Sequence, residues 1–456
     1  MTFRPFSRIP FRILQALIRI LLLQGGLLGA TADAPLYLGE IHCRHCHGGA
    51  EWSHMEQYPI WSQKDPHSRS FASLDNPLSR EIASLMGLPE GQQAKWEKCV
   101  RCHVAQPVAE LRGDHYRIEE GISCEGCHGP AERWIVPHVL FDATHSSNVA
   151  HGMIDLKDLR VRTEVCLRCH SNLDHEIVAA GHPDLSFELL HYSFWQPPHW
   201  NYREASPMEY WFVGQSEGLV KALEDLAMSD RDPTTGDLFH IEAFEKESCF
   251  GCHNKLSQDR WRKVEALSSV FLPASEILGS DELSTPLGAT VSQLRELMSS
   301  TDPSSKKSLW TLANRARDQA VALSEQLEGI DLTDLPAEKL SDIIERVSSP
   351  LAVEKDFQSL DPELPTAWMI RYFDVAEQKT LALKCLSLAG ESPKRDSHSL
   401  HADVRREVET KGDRMHRVVQ SLDALWGFVG SSTPEARMRQ FDPNEFNEAL
   451  TGTLSP

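Results

Sequence analysis

Residues 166–200 read CLRCHSNLDHEIVAAGHPDLSFELLHYSFWQPPHW, and the reading of this stretch decides the fold. It opens on Cys166, Cys169 and His170, a complete C-x-x-C-H pentad, and then supplies His175, His182, His191 and His199. Imidazole is costly to bury unless a metal or a hydrogen bond holds it. Five imidazoles in one aromatic-rich segment predict a hub that holds one metal group and lends ligands to its neighbours.

The pentad recurs along the chain. Ten of the eleven cysteines fall in five copies, at 43–47, 99–103, 124–128, 166–170 and 249–253. Cys385 is left over and reads as a small buried apolar residue on a helix. C-x-x-C alone is shared by zinc pairs, redox disulfides and structural bridges. The histidine that follows separates these readings, because positions i, i+3 and i+4 of a helical turn share a face. Two thiols there can join the two vinyl groups of one porphyrin while the imidazole reaches the iron. A zinc site would leave that histidine unexplained five times. The pentads therefore predict five covalently bound c-type haems. They are attached through Cys43, Cys46, Cys99, Cys102, Cys124, Cys127, Cys166, Cys169, Cys249 and Cys252, with His47, His103, His128, His170 and His253 as proximal ligands.

Five irons then need sixth ligands, and thirteen further histidines precede Asn254. His67 lies in an Asp-Pro-His turn, a proline-fixed loop suited to a distal ligand or to a cap. His138 follows Trp134 by one helical turn. His42 and His45 crowd the first pentad and read as solvated, while His115, His145 and His151 read as surface residues. His191 reads as packing. Met55, Met86, Met153, Met208 and Met228 have no ligand context. Mostly bis-histidine haems should sit at low potential. Saturated irons exchange electrons but bind no substrate, which favours a carrier over a catalyst.

Outward from the pentads, residues 1–32 read as an address. Arg4, Arg8, Arg12 and Arg19 precede an apolar run at 20–30, and Ala30-Thr31-Ala32 fits a cleavage site. The run is about half of a membrane span. The expected location is periplasmic or otherwise extracytoplasmic, with no transmembrane span after cleavage. A net charge of −20 argues against nucleic acid and fits redox partners with a basic docking surface.

Residues 33–260 read as a pentahaem cytochrome c domain with few regular strands. About 220 residues are too few to give each haem its own core of roughly 100 residues, so the haems must share contacts. Within it, 71–98 reads as helix with Ile82, Leu85 and Trp96 in the core, and 152–165 as a polar helix. Gly126, Gly129 and Pro130 leave room for a porphyrin face. Residues 208–228 read as an amphipathic helix. Residues 261–456 read as an α-helical domain, with 3.6-residue periodicity at 305–327, 337–347, 366–388 and 402–429. The fold class is mainly α.

Several segments carry a resemblance: CHGG at 46–49, IWSQKDPHSRSF at 60–71, GISCEGCHGPAERW at 121–134, GMIDLKDL at 152–159, HEIVAAGHPDLSFE at 175–188 and PHW at 198–200. Over about residues 40–260 the chain resembles the multihaem c-type cytochromes grouped with the tetrahaem electron carrier of ammonia-oxidising bacteria, with fainter similarity around 368–388. The resemblance implies electron transfer, and distal ligation by His67, His138, His175 and His182, with weaker support for His199. One departure concerns the fifth pentad: similar proteins often carry a second histidine where this chain has Asn254. That haem could be ligated differently or left open. The wider superfamily includes nitrite and hydroxylamine enzymes. The alternative reading is thus an oxidoreductase acting on a small nitrogen or sulfur species at a five-coordinate haem. Pentahaem nitrite reductases place a lysine in the active motif, whereas all five pentads here end in histidine.

Overall fold

The computed structural model describes residues 34–49, 55–171, 187–197, 205–228, 259–299, 306–327 and 336–349, with isolated positions between and after these stretches. Helix dominates and no strand occurs among the described residues, as the mainly α reading expects. A single parallel bridge pairs Tyr37 with Arg112.

The N-terminal part is a string of short helices. They are α1 (Ile41–His47), α2 (Gln57–Lys64), α3 (Pro77–Leu85), α4 (Glu97–His103), α5 (Cys124–His128), α6 (His145–Ala150) and α7 (Leu159–Leu167). None reaches the ~12–15 residues at which a helix begins to persist alone in water. Side-chain caps fix where three of them begin. Asn76 accepts from the Ser79 amide at 2.8 Å with Pro77 at the first helical position, and Thr144 with Ser147 forms a capping box. Asp158 accepts from the amides of Arg160 and Val161 at 2.9 and 3.3 Å, starting the helix that carries Cys166. The capping residue therefore moves the expected polar helix of 152–165 to Leu159–Leu167.

Residues 71–98 do not form one helix. Two 3-10 turns, Ala72–Asp75 and Gln92–Ala94, flank α3, because Pro77 restarts the chain and Gly91 adopts φ +77°. Ile82 is buried as expected, whereas Leu85 and Trp96 are half-buried.

The apolar mass lies further along. There α8 (Leu189–Trp195) and α9 (Pro207–Met228) are joined by α10 (Asp259–Ile277), α11 (Asp281–Ser299), α12 (Lys306–Leu327) and α13 (Ala337–Val347). One apolar cluster unites Leu189, Trp211, Leu223, Phe271, Leu294, Leu323 and Ile343, and so crosses residue 260. Each such side chain, fully buried, contributes about 1.5–3 kcal/mol. The helix α9 is the axle, touching α7, α8, α10 and α12. Gly214, Gln215, Ser216 and Gly218 are buried along with its large apolar residues. Its polar groups find partners inside: Gln378 donates to Gln215 at 3.0 Å and Ser324 to Ser216 at 3.0 Å.

Helices 305–327 and 337–347 occur within one residue of their expected bounds. Between 259 and 299 the sequence offered only a helical region, because Pro273 and Pro286 interrupt the periodic pattern; both lie inside helices. Only scattered positions of 366–388 are described, among them Val375, Ala376 and Leu383 in the main cluster. Residues 402–429, Cys385 and the leader 1–32 lie outside the described residues. No helix among the described residues is long and apolar enough to cross a membrane.

Candidate metal centres

Four of the five pentads lie in the described residues, and each sits on or at the end of a short helix. The helices α1, α4 and α5 carry the first three, and α7 runs into the fourth, where the His170 amide donates to the Cys166 carbonyl at 2.9 Å. The pentad at 249–253, with Cys249, Cys252 and His253, lies outside the described residues, as does His175.

Glu125, between the cysteines of the third pentad, ties this part together. Its carboxylate is 1 % exposed and accepts from the amides of Leu38 at 2.9 Å, Gly39 at 2.8 Å and Ala131 at 2.7 Å. Burial raises its pKa, and these three amides oppose that rise. The neighbouring glycines lie close to other side chains. A Cβ on Gly126 would meet the Ile122 side chain at 2.8 Å, and Gly129, at φ +83°, faces Ile154.

The thiols touch across pentads. Cys124 is hydrogen-bonded to Cys43, and that bond with burial raises its pKa. Cys169 stands in the same relation to Cys102. Burial pushes Cys127 up to about 11 and Cys166 up to about 12, and the charge of Cys127 also raises Cys166 and Cys169. These are not the exposed, low-pKa thiolates of a nucleophilic or dithiol redox site. Their adjacency runs in the order first, third, fourth, second pentad.

The imidazoles are arranged in pairs. His47 faces His138 with ring centroids 6.4 Å apart and planes 11° from parallel. His103 faces His182 at 6.4 Å, His128 faces His199 at 6.3 Å, and His170 faces His67 at 6.0 Å. Two imidazoles on opposite sides of one metal ion have nitrogens about 2.0 Å from it and roughly 1.2 Å from their own ring centres. Their centroids then lie roughly 6.4 Å apart. Ordinary aromatic contacts span about 4.5–7 Å, so distance alone does not decide. The composition of the pairs does. Each described pentad histidine meets one histidine from outside the pentads, and the partners are His67, His138, His182 and His199.

Protonation agrees with ligation, since the neutral ring is the ligand form. Burial pushes His128 and His170 down to about 4 and lowers His103 and His199 as well. The residues present thus fit an iron held between two imidazoles at each of four places.

Hydrogen bonds at Nδ1 orient several rings, and these partners were not read from the sequence. His47 Nδ1 lies 3.0 Å from Gln57 Oε1, and His103 Nδ1 lies 2.7 Å from the Ser70 carbonyl. His138 Nδ1 lies 2.6 Å from the Ile135 carbonyl, while the buried Trp134 meets the His138 ring edge-on at 5.4 Å. His67 Nδ1 lies 2.8 Å from Asp65 Oδ1. The Asp-Pro-His turn had raised the choice between ligand and cap for His67. The cap is Asp65, which also accepts from the His67 amide at 3.0 Å, leaving the His67 ring free to face His170. Burial opposes ionisation of Asp65, but hydrogen bonds from His67 and Gln196 outweigh it and hold its carboxyl below the usual range.

The remaining histidines lie apart from these pairs. His42, His45, His115, His145 and His151 are exposed, with His42 edge-on to His115 at 5.3 Å and His145 bonded to Asp155 at 2.8 Å. His191 lies on α8, and its side chain is outside the described residues.

Residues 42–129 match the family described as cytochrome c554 and c-prime. No curated protein and no solved structure matches the chain. The family match spans the first three pentads and supports a c-type cytochrome in electron transfer.

Proposed function

We propose that the chain is an extracytoplasmic multihaem c-type cytochrome that carries electrons through five covalently bound, mostly bis-histidine haems. One observation carries this reading: each described pentad histidine faces one non-pentad histidine at 6.0–6.4 Å. The assigned pairs are His47 with His138, His103 with His182, His128 with His199 and His170 with His67. Cys43 and Cys46, Cys99 and Cys102, Cys124 and Cys127, and Cys166 and Cys169 would hold the four porphyrins. The bound group supplies a metal that cycles between ferric and ferrous states.

The chain's own residues do the rest. Paired imidazoles fill both axial positions and leave no place for a substrate. Gln57, the Ser70 and Ile135 carbonyls and Asp65 fix ring orientation, as outer partners do at other metal sites. The thiol contacts place the attachment points of neighbouring pentads side by side, an arrangement suited to a closely spaced relay. The helices α10 and α12 pack on α9, which backs the helix α7 of the fourth pentad.

The fifth haem, at Cys249, Cys252 and His253, rests on the sequence motif alone, and His175 is assigned there as a candidate ligand. Intact-mass measurement of the mature protein tests the count and the leader together: five haem additions on a chain lacking residues 1–32 are expected. Ferric electron paramagnetic resonance tests the ligation. Low-spin signals indifferent to cyanide and nitric oxide fit the carrier. A high-spin signal that responds to them would favour the oxidoreductase alternative.

A further inference from the structure

The axial rings differ in the kind of group that meets Nδ1. At the first and second pentads the partners are neutral, the Gln57 amide and the Ser70 carbonyl. At the fourth pentad the partner of His67 is the carboxylate of Asp65, the one carboxylate bonded to a paired ring among the described residues. The opposite ring, His170, has a buried Nδ1 with no hydrogen-bond partner among the described residues. Among the described residues, Asp65 is thus the hydrogen-bond partner at Nδ1 for this pair.

Asp65 is itself 2 % exposed. Its Oδ1 takes the His67 ring at 2.8 Å and the His67 amide at 3.0 Å, and its Oδ2 takes Gln196 Nε2 at 2.9 Å. Gln196 comes from the segment after the fourth pentad, so the carboxylate clamps two distant stretches. A capping role alone would be met by asparagine, without a buried charge.

We propose that Asp65 is a positioning residue that sets the reduction potential of the fourth haem, holding it low through the His67 ring. The inference rests on the bis-histidine reading above. A carboxylate that accepts the Nδ1 proton's hydrogen bond makes the ring a stronger electron donor and favours the more positive ferric iron.

The test uses the full-length haem-loaded protein in spectroelectrochemical titration. Asp65→Asn keeps the volume and the cap but removes the charge. One transition should move clearly positive and the rest should stay. Gln196→Leu removes a donor from Oδ2 and concentrates charge toward His67, so that transition should move negative. Opposite shifts of one transition are not what general damage produces. Unshifted transitions with low-spin signals intact overturn the tuning role and leave the ligation reading standing. A high-spin signal created by Asp65→Asn also overturns it, since Asp65 would then only hold His67 in place. A high-spin signal at the fourth site of the unmodified protein overturns both.

Discussion

Arg160 Nε lies 3.2 Å from Glu217 Oε1 with the two side chains 13 % and 12 % exposed, joining the helix of the fourth pentad to the central helix α9. The pair is close but poorly aligned for a hydrogen bond at Nε. Arg160 Nη2 adds a bond to Ser324 at 2.6 Å on α12, and Arg162 donates to Tyr210 at 2.9 Å. Polar contacts thus lock the helix of the fourth pentad onto the helical core. Removing one partner of a buried ion pair costs about 3–5 kcal/mol, because the other charge stays buried. Arg160→Ala should lower the melting temperature accordingly, and Arg160→Met with Glu217→Leu should recover most of it. Equal melting of the single variant and the parent would show that the pair is idle.

The two parts of the chain differ in apolar core. The main cluster spans α8 to α13, while the pentad-bearing part has a small one of Leu74, Val100 and Val104 with Phe71, Cys99 and Ile118. Protein made without haem attachment, by replacing the pentad cysteines with alanine, should therefore keep slow amide exchange in 207–228 and 259–347. It should lose that protection in 41–170. Protection retained across 41–170 would show that the side chains alone hold that part.

His138 is exchangeable in a way that reports its own site. Histidine–methionine ligation raises potential relative to bis-histidine. His138→Met should move one transition positive while the others hold, because His138 faces His47 alone among the pentad histidines. A titration curve identical to that of the parent would remove His138 from the ligand set.

Glu120 gives a pH dependence. Burial chiefly pushes its carboxyl up to about 7, helped by the charges of Glu40 and Glu125, while the Glu40 amide at 3.0 Å opposes the rise. The folded state then binds this proton more tightly than the unfolded state, where the ordinary value is near 4.5. Its contribution is complete below about 4.5 and is lost as pH rises through about 7. Thermal melts of the parent should fall between pH 5 and 8, and Glu120→Gln should flatten that part of the curve. A parallel pair of curves would exclude Glu120 as the cause.

The central helix shows why part of the fold escaped the sequence. Apolar periodicity over 208–228 counts large side chains and passes over the face of Gly214, Gln215, Ser216 and Gly218. Neighbouring helices cover that face and satisfy its polar groups through Ser324 and Gln378. Burial there depends on what packs against the helix, which no local pattern records.

The candidate sites divide in the same way. C-x-x-C-H is a one-turn geometry, so the thiols and proximal histidines were legible by themselves, and the proline-fixed turn at His67 marked a ligand without naming its iron. The partners lie between 71 and 103 residues apart in the chain. Which ring meets which is decided by how α1, α4, α5 and α7 pack, how Asp65 and Trp134 hold their neighbours, and where the 182–199 segment is drawn by α8 and α9. Local spacing set the pentads; long-range packing, a matter of shape and burial summed over the chain, brought each described pentad histidine to its partner ring.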